Sequence, residues 1–140
     1  MIELNLKKGL KGAAQTIVNE ENSAERFANP RLPAFATPML VSLMDIAAIN
    51  AVEKYLPEGY ISVGTKISIT HLAPTPLGMS VTAEATLTDV YKNKLTFEVK
   101  AYDEIEKIGE GLIERYIIDL DNFTKKMLST KGKNKRVSFN

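Results

Sequence analysis

The sequence predicts a single α+β domain in which one long central helix is wrapped by an antiparallel sheet. Three observations carry this. An apolar segment with almost no polar side follows Thr37-Pro38, strict period-two alternation runs from Ile61 to His71, and further alternating stretches follow it, separated by turn signals. With 140 residues, 44% of them hydrophobic, the chain is long enough for one core.

Residues 1–30 carry the weakest pattern: Ile17 and Val18 are candidates for a sheet edge, and Ser23 to Phe27 for one helical turn. The next segment, Asn29-Pro30-Arg31-Leu32-Pro33, holds two prolines too close for regular structure, and its position before Thr37 makes it a candidate lid or pocket rim. Thr37 before Pro38 then reads as N-cap and first helical residue, because proline lacks only an N–H that is unpaired there anyway. The helix is expected to run to Leu56, where Pro57-Glu58-Gly59 stops it.

Within that helix Ser42, Asn50, Glu53 and Lys54 form the only polar stripe, so other structure must cover the rest. Asp45 departs from the stripe. At about 100° per residue it falls beside Val41, Ile49 and Val52, and a carboxylate there needs a partner. Asn50 lies on the stripe and reads as structural.

Ile61, Val63, Thr65, Ile67, Ile69 and His71 are predicted to share one face of a strand, which points the only histidine toward the core side. Pro74, Pro76 and Gly78 break the chain before a second strand with Val81, Ala83, Ala85 and Leu87. Tyr91-Lys92-Asn93-Lys94 reads as a hairpin turn into a strand with Leu95, Phe97, Val99 and Ala101. A last strand spans Lys107 to Ile118, where Gly109-Glu110-Gly111 marks a bulge or a close backbone approach rather than a phosphate loop.

Cysteine is absent, which excludes disulfides and thiolate chemistry, and one histidine cannot build a histidine-cluster metal site. No metal, no cofactor and no membrane span are expected, and without a signal-peptide pattern the expected location is cytoplasmic. The net charge of +1 is uneven: Lys131, Lys133, Lys135 and Arg136 lie in the last twelve residues, leaving 14 basic against 17 acidic residues elsewhere. The domain is therefore assigned to residues 1–128 and a basic, disordered tail to 129–140. No aromatic-studded basic face supports nucleic-acid binding.

A long apolar helix followed by wrapping antiparallel strands describes the hot-dog fold. The sequence resembles the fluoroacetyl-CoA thioesterase-like family over roughly residues 20 to 125. The resemblance rests on Phe35-Ala36-Thr37, Leu43-Met44-Asp45, Val63-Gly64-Thr65, the run from His71 to Gly78, Ile108-Gly109-Glu110-Gly111, and Glu114-Arg115. It implies a homodimeric hydrolase of small or medium acyl-CoA thioesters, with Thr37, Asp45 and His71 at the catalytic positions. The family acid is usually glutamate; aspartate is shorter by one C–C bond, about 1.5 Å. Either the site closes around Asp45, a water bridges the gap, or catalysis is impaired. The segment before Thr37 gives no close match to the family's lid.

Chemistry supports the same three residues. A thioester carbonyl becomes an oxyanion in the transition state, and free N–H groups at a helix N-terminus stabilise it. Thr37 attacks or holds the attacking water, His71 accepts the proton, and Asp45 orients His71 or takes the proton itself. Thr37 and Asp45 are eight positions apart, about 12 Å along one helix, so they cannot bond within one chain. The site is therefore expected at a two-fold interface. Phe35, Gly64, Thr65, Gly78 and Arg115 are the candidate substrate-binding residues.

Each residue also has an ordinary reading. Thr37 is a plain N-cap, His71 a satisfied core histidine, and Asp45 a structural carboxylate bonded to the backbone or to Arg115. Gly64, Thr65 and Gly78 suit a bulge or turn, and Arg115 pairs with a CoA phosphate or with an acid in the sheet. Two rival functions remain: a non-catalytic acyl-CoA-binding protein, which the short Asp45 keeps open, and a hot-dog dehydratase, disfavoured by the lack of an Asp-His motif of that type.

Overall fold

A computed structural model describes residues 4–27 and 29–132. Its strands are β1 (Lys11–Ile17), β2 (Tyr60–His71), β3 (Ser80–Tyr91), β4 (Lys94–Tyr102) and β5 (Lys107–Asp119), and its helices α1 (Thr37–Val52) and α2 (Leu120–Met127). The strands form one antiparallel sheet in the order β1-β3-β4-β5-β2. The hairpin turns at Lys92, which adopts a left-handed φ of 54°. Among the described residues no helix is long and apolar enough to cross a membrane.

α1 lies on the inner face of the sheet, against β1 and β3 above all. Leu40, Met44, Ala47, Ala48, Ala51 and Val52 meet Val81, Ala83, Ala85 and Leu87 of β3 and Leu95, Phe97 and Val99 of β4, all buried. Burying each large side chain of this set stabilises the fold by about 1.5–3 kcal/mol. The alanines let helix and sheet approach closely. At Gly12 of β1 an added Cβ would stand only 2.3 Å from the Ala47 carbonyl oxygen and the Ala51 nitrogen, so only glycine fits. Asn50 donates to the Ala13 carbonyl at 2.9 Å, which ties the helix to this edge strand and bears out its structural reading.

Several expectations need correction. Thr37 is not the N-cap: the Ala36 carbonyl accepts the first intrahelical bond from Leu40, Ala36 is extended, and no side chain caps the helix. The α-helix ends at Val52, and Glu53–Tyr55 continue as a 3-10 turn before the Pro57 break. The helix is not wrapped on all sides within one chain, since Ile46 is 43% exposed. β1 was legible only at Ile17, because its inward residues Gly12, Ala14 and Thr16 are small or polar. α2 was missed, although Asp119 caps it by accepting from the Asn122 N–H. Residues 128–132 form a π-helical turn that covers the first four residues of the predicted tail; the rest of that tail lies outside the described residues.

The face assignment along β2 also changes. Gly64 pairs with Arg115 and Lys66 with Glu114, so Thr65 is an extra residue in a bulge. One extra residue reverses the alternation. Ile67, Ile69 and His71 face inward with Ile113, Gly111 and Gly109 as predicted, but Ile61 and Val63 face outward with Ile118 and Tyr116.

Candidate active site

The segment entering α1 is fixed before the helix begins. The Ala36 N–H donates to the Asn22 carbonyl and the Phe35 N–H to the Thr75 carbonyl, both at 2.9 Å. Thr75 is fully buried and its hydroxyl donates to Asp103 at 2.8 Å, while Asp103 also accepts from the Ile105 and Glu106 amides. A chain of hydrogen bonds thus sets where Thr37 starts the helix.

Thr37, Leu40 and Met44 follow one stripe of α1. A Cβ on Gly109 would lie 2.9 Å from the Leu40 Cδ2 and 3.0 Å from the Met44 Cε, so the glycine lets α1 settle onto β5. This is the close approach expected from Gly109-Glu110-Gly111. Gly109 is also the cross-strand neighbour of His71. The stripe therefore carries Thr37 to the end of β2, where its Oγ1 meets the His71 Nδ1 at 2.7 Å.

The second ring nitrogen is the unusual one. His71 Nε2 is buried and has no hydrogen-bond partner among the described residues. Burial pushes the imidazole below its ordinary pKa of 6.5, with the Ala73 backbone opposing in part. Neutral imidazole at pH 7 can accept a proton. The pair opens onto a cavity of about 440 Å³ whose walls include Phe27, Leu32, Phe35, Pro38, Leu72 and Pro74, with no charged side chain. Phe27 and Leu32 stand at its exposed rim, where the two-proline segment was predicted to form a lid.

The other polar residues gather elsewhere. Asp45 lies with Gly64, Thr65 and Arg115 in a separate depression. Arg115 is 4% exposed and fully engaged: Nη1 donates to Asp45, Nε to the Ser62 hydroxyl at 2.9 Å, and Nη2 to the Ser62 carbonyl at 2.7 Å. The geometry gives Arg115 the ion pair, one of its two expected roles. Gly64 leaves room for that pair, because a Cβ there would stand 3.2 Å from the guanidinium and 3.6 Å from Asp45. The Thr65 hydroxyl donates to the Glu114 carbonyl at 3.2 Å.

Of the residues singled out in the sequence, Thr37, His71 and Phe35 share the cavity, Asp45, Gly64, Thr65 and Arg115 share the depression, and Gly78 joins neither. Gly78 has a φ of 93° and donates to the Val18 carbonyl, so it serves the turn before β3. Phe27, Leu32 and Pro38 were not singled out as site residues, since apolar side chains in an irregular segment carry no periodic signal.

Comparison with known proteins identifies the family and the fold. Residues 18–121 match the model of the family described as fluoroacetyl-CoA-specific thioesterase. The fluoroacetyl-CoA thioesterase of Streptantibioticus cattleyicolor is 42% identical over 93 residues, 66% of this chain and 67% of that protein. A solved structure of a fluoroacetyl-CoA thioesterase superposes with a TM-score of 0.82 at 32% identity, covering 93% of this chain and 98% of the other. A thioesterase superfamily member from Thermus thermophilus gives a TM-score of 0.84 at 26% identity, covering 91% and 94%. The chain belongs to the fluoroacetyl-CoA-specific thioesterase family, has the hot-dog fold, and is an acyl-CoA thioester hydrolase.

Proposed function

We propose that the thioester is hydrolysed at a composite site, with Thr37 and His71 supplied by one protomer and Asp45 by a second copy. The observation that carries this reading is the unpartnered His71 Nε2. In the tautomer that lets the Thr37 hydroxyl donate to Nδ1, Nε2 holds a proton and needs an acceptor. A buried donor left alone costs about 1–3 kcal/mol, so an acceptor is expected. The carboxylate in the same chain is about 12 Å away along α1.

β2 supports the second copy. It ends the sheet, and its outer edge has no partner strand among the described residues. A bare edge invites antiparallel pairing with the same strand of another copy. Ile46 of α1 and Ile67 stand exposed on the inner side of this edge, an apolar surface suited to burial. The proposal requires an antiparallel register centred between Ile67 and Ser68, in which the His71 end of one β2 meets the Gly64 position of the other copy, the position beside which Asp45 sits. Asp45 Oδ2 makes no hydrogen bond among the described residues and is the natural acceptor.

At such a site Thr37 attacks the thioester carbon, or holds the water that attacks, while His71 takes the proton. The backbone N–H of Thr37 has no partner among the described residues and, at the positive end of α1, faces the developing oxyanion. His71 then returns the proton to the leaving thiolate; where Thr37 is the nucleophile, a water deprotonated by His71 next cleaves the acyl-threonine ester, releasing the acid and restoring the hydroxyl. Asp45 orients the ring and stabilises its charged form; it is itself held in place by Arg115. The uncharged cavity suits a small or medium apolar acyl group, and the fluoroacetyl group handled by the relative is one candidate.

Two measurements test the reading. Free-CoA release from short, branched, halogenated and aromatic acyl-CoAs identifies the acyl group. Co-expression of Thr37→Ala and Asp45→Ala chains tests the composite site. Each variant alone has two damaged sites, whereas a mixed dimer holds one intact site and one doubly damaged site. Random pairing then restores about a quarter of wild-type activity. A mixture no more active than its parents would mean that each chain carries its own complete site.

A further inference from the structure

A second cavity, of about 850 Å³, lies between α2 and the β3–β4 hairpin, at the end of the sheet that Tyr60 and Asp119 share. It lies far from the catalytic pair: Tyr60, in its wall, and His71 stand at opposite ends of β2, about 35 Å apart at 3.3 Å per residue. Its surface combines exposed aromatic rings with cations, namely Tyr91, Tyr116 and Phe123 with Lys92, Lys94 and Lys126, a face that the sequence did not reveal because the hairpin, β5 and α2 build it together.

Topology assembles this set. Lys94 pairs across the hairpin with Tyr91 and across the sheet with Tyr116. α2 leaves β5 at Asp119 and contributes Phe123 and Lys126, three positions apart and so on one helix face. None of the three lysines makes an ion pair among the described residues. The Lys92 ammonium rests 5.4 Å from the centre of the Tyr91 ring, which places positive charge beside an aromatic face. The only acid in the wall among the described residues, Asp119, accepts from the backbone and side-chain amides of Asn122 in capping α2.

We propose that this groove binds a nucleoside phosphate, with the base stacked on the exposed rings and the phosphates on the lysines. Three unpaired ammonium groups against one occupied carboxylate favour an anion, and several bare rings around one groove favour a planar ligand. The volume falls within the range of small-molecule sites.

Two sources carry that chemistry. One is a free nucleotide. The other is the nucleotide end of the CoA thioester, and this source rests on the composite-site reading, in which the Tyr60 end of one β2 lies beside the Leu72–Pro74 rim of the other copy's cavity. The groove's own catalytic pair is too distant for its chain's substrate to reach.

The test is calorimetric titration of the full-length protein with ADP and with adenosine 3′,5′-bisphosphate, for wild type, Lys126→Glu and Phe123→Ala. Both changes are on an exposed helix face, and circular dichroism checks folding. Saturable binding weakened about tenfold by each variant is expected, with a steep salt dependence. No saturable binding of either nucleotide, or binding that both variants leave unchanged, overturns the proposal. So does binding of single-stranded RNA far tighter than either mononucleotide, which would make the groove a nucleic-acid platform.

The KM for an acyl-CoA relative to the matching acyl-pantetheine separates the sources. A ratio raised by Lys126→Glu identifies the CoA end, and ADP binding with an unmoved ratio identifies a free nucleotide. The acyl-pantetheine lacks the nucleotide, so loss of its turnover in His71→Ala tests the thioesterase site independently of the groove.

Discussion

Two polar clusters flank α1, and they differ in how completely they are satisfied. Arg115 uses all three nitrogens, binding Asp45 and both oxygens of Ser62. The Thr37–His71 pair has a single bond, and the buried His71 Nε2 is left over. The first arrangement holds a side chain still; the second leaves an imidazole nitrogen free, as the proposed proton transfer requires. A buried polar group without a partner is costly, and such groups persist where function needs them.

The contrast is broken most severely at His71. His71→Ala is expected to lower kcat/KM by about 10³-fold, in the range for loss of a general base, while the melting temperature changes little. A large fall in melting temperature would instead mean that His71 serves the fold.

Arg115→Met should act in the opposite sense. It leaves the Asp45 carboxylate beside apolar surface with no countercharge and strips the bonds to Ser62, which costs about 3 kcal/mol of stability in a urea titration. Stability within 1 kcal/mol of wild type would show Asp45 to be well hydrated without its partner.

Thr37→Ala is expected to lower the rate about 10²-fold without loss of the helix, because Thr37 does not cap it. Rapid-quench mass spectrometry sharpens this. An acyl group trapped on Thr37 in the wild type marks the hydroxyl as nucleophile, and none marks water.

The pH dependence has a fixed sign. Burial lowers the His71 pKa, and a base is lost when protonated, so kcat/KM should fall on the acid side with a midpoint below 6.5. A midpoint above 6.5 would mean that a carboxylate stabilises the imidazolium more strongly than burial opposes it.

The smallest effect is expected from Asp45→Glu, which adds about 1.5 Å of reach and should change the rate by less than about tenfold. A larger loss would mean that the site has closed around the shorter acid.

Gly12, Gly109 and Asp119 show why legibility was uneven. Glycine in a strand advertises a close approach without saying to what; the neighbours proved to be the α1 backbone for Gly12 and the Leu40 and Met44 side chains for Gly109. Asp119 is a helix cap visible in the sequence and Leu120, Phe123 and Met127 keep helical spacing, but α2 is only eight residues long, too short for that pattern to stand out from the strand before it.

Local patterns alone determined the long helix, the strands that take part in three of the four pairings and the hairpin at Lys92, because periodicity and turn chemistry act between near neighbours in the chain, whereas Thr37, Asp45 and His71 stood out as candidates through the family resemblance. Tertiary structure decided the rest. The Thr65 bulge turned Ile61 and Val63 outward, Arg115 claimed Asp45 from 70 positions away, and His71 met Thr37 from 34 positions away. These outcomes depend on register and on packing between distant segments, which local patterns do not encode.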